Sequence, residues 1–134
     1  MPYQGEWYIP CRVINARLWG KAAVEDFDKH TALCVELLSQ AQIQAPSASV
    51  HMLLDVEEAE SLPPLYLMFA RAMPVLRFKN RGVMFVITRN RTIKSIIELT
   101  AHVMNFSILM FNSRSEAMSA LEATLLKEDL QTNK

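Results

Sequence analysis

The chain has 134 residues, 51% of them apolar and 21% charged, and its formal net charge is zero. That length suits one domain with its own core, residues 1–134, and that composition excludes wholesale disorder. Balanced charge argues against a general polyanion binder, nucleic acid included.

Residues 6–10 and 12–19 read as two short strands. In the second, Ile14, Ala16 and Leu18 fall on one face while Asn15 and Arg17 fall on the other. Pro10 cannot donate to a ladder, which places the first strand at a sheet edge, and Gly20 ends the pair. Residues 24–41 predict a helix with Val24, Phe27, Thr31, Cys34, Leu38 and Ala41 in one stripe. Residues 50–56 predict the next strand, with Val50, Met52, Leu54 and Val56 on one face. Leu53 is apolar on the other, so this strand is expected to be covered on both sides.

Ser61 is placed to cap a second helix whose first turn holds Pro63 and Pro64, where a missing N–H costs nothing. Pro74 predicts a stop or kink near Met73. Residues 83–87, Val-Met-Phe-Val-Ile, form the best candidate for a buried strand. Thr92 opens a helix with Ile93, Ile96, Ile97, Thr100 and Val103 on one face. Residues 107–111 make the last strand, and Ser113-Arg-Ser-Glu116 fits a capping box. The closing helix turns Ala117, Ala120, Leu121, Thr124 and Leu125 inward, and residues 131–134 are expected to fray.

The order β-β-α-β-α-β-α-β-α implies an α/β fold: a mixed, mainly parallel sheet of four to five strands with helices packed on it. The two cysteines, Cys11 and Cys34, match no metal or redox spacing and suit a reducing cytoplasm. The N-terminus, Met-Pro-Tyr-Gln-Gly-Glu, carries no leader pattern. The longest mid-chain run free of charged or amide residues, Leu62 to Ala70, falls well short of the roughly 20 residues a spanning helix needs. The expectation is a soluble, cytoplasmic protein without a transmembrane segment or cofactor.

Arg17-Leu-Trp-Gly20, Leu53-Leu-Asp-Val56, and Ser115-Glu-Ala-Met118 with Leu121, read with the element order, resemble the SpoIIAA-like domain, also called STAS (sulphate transporter and anti-sigma-factor antagonist). The resemblance spans nearly the whole chain and rests on pattern. It implies a non-enzymatic regulatory or docking module. In bacterial members a serine opening the second helix, within an Asp-Ser-Ser-Gly-like loop, is phosphorylated by a partner kinase. Here that place reads Pro63-Pro-Leu-Tyr66, with no hydroxyl residue but Tyr66, so no phosphorylation site is carried over. A more distant part of the fold group, similar to lipid carriers, binds apolar ligands.

On the second helix Leu65, Met68, Phe69, Ala72 and Leu76 form the core face, and Tyr66, Leu67, Ala70 and Arg71 are left as a candidate interaction surface. The leading expectation is a protein partner or a homodimer formed there. The alternative is an apolar ligand or lipid held in a cavity beneath Met68, Phe69 and Met84. Asp55, Glu57, Glu58 and Glu60, with Ser61, mark a loop at a strand's C-terminal end. With no Gly-rich loop or Walker lysine beside it, a solvated loop is expected rather than a Mg²⁺ site. Arg71, Arg77, Lys79, Arg81, Arg89, Arg91 and Lys94 make an acid-free basic stretch, but Arg81 and Arg89 flank one strand and so lie at opposite sheet ends. His30, His51 and His102 share no ligand spacing and are expected at the surface or half-buried. Cys34 is expected to be an inert core thiol, and no catalytic constellation is found.

Overall fold

The computed structural model describes residues 2–132. The elements run β1 (Tyr3–Ile9), β2 (Val13–Leu18), β3 (Gly20–Lys21), α1 (Val24–Gln44), β4 (Val50–Asp55), β5 (Ala59–Ser61), α2 (Leu65–Leu76), β6 (Arg81–Ile87), α3 (Arg91–Val103), β7 (Ile108–Phe111) and α4 (Arg114–Thr132). Five strands form one sheet in the order β1-β2-β4-β6-β7. Only the β1–β2 pair is antiparallel, and β1 is an edge strand as expected, although Pro10 lies in the turn after it rather than within it.

Alternation along the strands sorts the core into two layers. Ile14, Ala16, Leu54 and Val86 face α1 and α3, with α2 laid against α1. Val13, Leu53, Phe85 and Ile87 face α4, meeting Ala117, Leu121 and Leu125. β4 is therefore covered on both faces, as the apolar Leu53 between Met52 and Leu54 implies.

Several boundaries differ from expectation. β1 starts at Tyr3, not residue 6, because Tyr3 and Trp7 lie opposite Leu18 and Ile14 and share their buried face. α3 starts at Arg91 rather than Thr92, capped by Asn90, whose Oδ1 accepts the Thr92 and Ile93 N–H groups at 2.9 and 3.1 Å. Val103 points outward, and Ala101 takes its expected place in the core. α2 runs through Pro74 to Leu76. Pro74 is exposed, so only one helical N–H is lost, on a side where water can serve the freed carbonyl. Of the tail expected to fray, Gln131 and Thr132 continue α4, while residues 133 and 134 lie outside the described residues. No helix among the described residues is long and apolar enough to cross a membrane.

Candidate functional site

α2 holds one charged residue in twelve, yet only Met68 and Ala72 are fully buried. Tyr66 is 70% exposed and Met73 57%, and Ala70 is open between them. Positions 66, 70 and 73 follow helical spacing and form one outward apolar stripe. Of the residues expected there, Tyr66, Ala70 and Arg71 are exposed and Leu67 is half-buried. Arg71 Nη1 lies 3.0 Å from Asp28 Oδ2 on α1, an exposed pair that adds little stability but fixes where the guanidinium points. Met73 joins the stripe because the helix continues past it, contrary to the proline-based boundary.

α2 rests on α1 and more lightly on α3, and it makes few contacts with the sheet. A cavity of about 130 Å³ fills the resulting gap. Met68 and Ala72 from α2, Leu38 from α1, Leu54 and Met84 from the sheet, and Ile97 from α3 line it. Phe69, expected on its wall, is not there.

The acidic loop leaves the C-terminal end of β4. Asp55 Oδ1 accepts the Glu57 N–H at 3.0 Å, and Asp55 Oδ2 lies 3.5 Å from Arg114 Nη1. Glu57 meets Arg89 at 3.3 Å and Glu58 meets Arg17 at 2.7 Å. Three of the loop's carboxylates are thus matched by arginines from three other segments, while Glu57, Glu58 and Glu60 all stay exposed to solvent. The loop then forms β5, which pairs in parallel with β3. Ser61 belongs to that strand, and its carbonyl accepts the Ala22 N–H at 3.1 Å. Pro64 occupies the N-cap of α2 without a side-chain cap, so the capping role expected of Ser61 is not realised.

No family model matches the sequence, and no curated protein does. Solved structures do. An uncharacterised DUF3478-family protein from Shewanella loihica, with a SpoIIAA-like fold, superposes at TM-score 0.60 and 15% identity, over 89% of this chain and 91% of that one. The anti-sigma factor antagonist SpoIIAA in its unphosphorylated form gives 0.60 and 13%, over 90% and 96%. The Bacillus cell fate determinant SpoIIAA in its phosphorylated form gives 0.58 and 12%, over 89% and 98%. The fold is SpoIIAA-like.

Within this SpoIIAA-like frame, two of the three histidines are buried, contrary to expectation. His51 on β4 holds α4 to the sheet. Its Nδ1 accepts the Val83 N–H at 2.9 Å, which leaves Nε2 to carry the proton toward the Glu128 carboxylate at 2.9 Å. His30 lies in α1 with Nδ1 3.1 Å from the Tyr3 hydroxyl and Nε2 3.8 Å from Cys34 Sγ. Burial lowers the His30 pKa to about 4 and pushes the Cys34 thiol up to about 12. Burial, with Cys34 as the lesser cause, also raises the Tyr3 phenol. All three groups are neutral near pH 7, and a cysteine acts as a nucleophile only as thiolate. His102 is exposed.

The basic stretch is divided as its spacing implies. Arg89 pairs with Glu57 and donates from Nε to the Asn112 carbonyl at 3.0 Å. At the other end of β6, Arg81 donates from Nε to the Phe78 carbonyl at 2.9 Å, with its guanidinium 4.9 Å from the Phe106 ring centroid.

Proposed function

We propose that this chain is a non-catalytic regulatory or interaction module, a single cytoplasmic domain that docks a protein partner or a second copy of itself through α2. The observation that carries this reading is the open stripe of Tyr66, Ala70 and Met73 on a helix with only two fully buried residues. An apolar helix face left unsealed within one chain is a place where another surface gains by covering it. The SpoIIAA-like fold supports the same class of role, since one of the solved relatives is an anti-sigma factor antagonist. Phosphorylation at the start of α2 is not part of the proposal, because Pro63 and Pro64 stand there. The neutral His30–Cys34 pair supports a role without chemistry, and the two free cysteines suit a reducing compartment.

The test is sedimentation velocity across a concentration series for the wild type and for Tyr66→Asp with Met73→Asp. Buried aromatic anchors at interfaces carry about 2 kcal/mol or more, so the double variant is expected to weaken self-association roughly 30-fold or more with an unchanged circular dichroism spectrum. An association constant unmoved by the double variant removes α2 as the docking face.

A further inference from the structure

The void beneath α2 has an apolar wall and one cationic corner. Its lining is mostly hydrocarbon and thioether, with His30, Thr31, His51, Thr100 and Ser107 among its polar members, and Arg81 borders it at the start of β6. A water molecule needs two to four polar partners to settle in such a space, and the greater part of the wall, Leu38, Leu54 and Ile97 included, offers none. An apolar group gains dispersion contacts there instead. Arg81 differs from Arg12, Arg17, Arg71, Arg89 and Arg114, each of which meets a carboxylate. Among the described residues no carboxylate pairs with Arg81; it has one carbonyl and one aromatic face. Desolvation lowers its pKa, the direction expected of a cation lacking a counter-charge.

We propose that this cavity is a binding site for a short-chain carboxylic acid, its alkyl group beneath Met68 and Ala72 and its carboxylate on the Arg81 guanidinium. The cavity volume, about 130 Å³, is near that of an engineered void that admits one benzene molecule, so the ligand has about six carbon atoms. Its anionic end fits the paired N–H groups of a guanidinium, which take a carboxylate with two parallel hydrogen bonds. Access comes from α2, which leans on α1 and α3 rather than on the strands and is tethered to α1 by the exposed Arg71–Asp28 pair. This site lies on the opposite side of α2 from the Tyr66–Met73 stripe and stands or falls independently of docking there.

The experiment is a titration of uniformly ¹⁵N-labelled protein with hexanoate and, separately, with hexan-1-ol, followed by amide shifts. The expected result is saturable movement at Ala72, Met84 and Ile97 with both, hexanoate binding the more tightly. Arg81→Gln is expected to weaken hexanoate about tenfold and leave hexan-1-ol unchanged. Val75→Trp, which fills the space from a half-buried position on its wall, is expected to abolish both; if that variant loses its dispersed spectrum, Ala72→Met serves the same purpose. Shifts that fail to saturate or fall elsewhere overturn the proposal. Equal hexanoate affinity in wild type and Arg81→Gln overturns it as well.

Discussion

Gly82→Ala probes how firmly His51 is seated. A Cβ on Gly82 would run into Nδ1 and Cε1 of the His51 ring. The ring is 3% exposed and cannot retreat, because Nε2 is held by Glu128 at 2.9 Å while Nδ1 accepts the Val83 N–H at 2.9 Å. Overpacking of this kind costs about 1–3 kcal/mol, and displacing the ring leaves the Val83 N–H without its acceptor for about 1–3 kcal/mol more. The two penalties share one movement, so a total of about 3 kcal/mol is expected, a fall in melting temperature of roughly 10 °C for a chain of this size. His51→Ala alone is expected to cost about the same, through the lost hydrogen bonds and the hole it leaves.

The two substitutions together are the decisive measurement. With the ring gone, the atoms nearest the alanine Cβ at 82 are removed, and its added cost should fall below about 1 kcal/mol, giving a coupling of about 2 kcal/mol between the sites. Urea unfolding of the four proteins, followed by circular dichroism with shared m-values, reads this directly. Costs that add to within about 0.5 kcal/mol would refute the contact on which the reasoning rests.

Two further outcomes follow from the buried groups of α1. His30 has its pKa lowered by burial to about 4, below the unfolded value of about 6.5, so the unfolded chain takes up the proton first. Stability should therefore be complete above about pH 6.5 and fall as pH drops toward 4, by about 3 kcal/mol over the full interval. His30→Gln should flatten the part between about pH 5 and 6.5, above most carboxylate titration, and an unchanged slope in that variant would count against the assignment. For the thiols, Cys34 is 2% exposed with its pKa pushed up to about 12, whereas Cys11 sits half-exposed in the turn after β1. Iodoacetamide at pH 8 should modify Cys11 alone in the native protein and both in denaturant; native labelling of Cys34 on the same timescale would show that α1 opens freely.

Much of this architecture is written into local spacing. Val50, Met52 and Leu54 alternate, Ala117, Leu121 and Leu125 recur at helical intervals, and Pro10 follows directly on the end of β1. Each follows from the geometry of a strand or helix over a few residues, and so the element order and most of the inward faces could be derived before any coordinates. The SpoIIAA-like resemblance rested on that same order, and the superpositions bear out the fold.

The site depended on distances that periodicity does not encode. His51 finds Glu128 seventy-seven positions away, and three of the acidic loop's carboxylates meet arginines from β2, the segment after β6 and α4. The β3–β5 pair is two and three residues long, too short to show an alternation. Composition makes α2 apolar on nearly every side, but only its seating on α1 rather than the sheet separates an outward stripe from an inner void. A hydrophobic pattern states what must leave water; which neighbour covers it, and how closely, is settled when the elements pack.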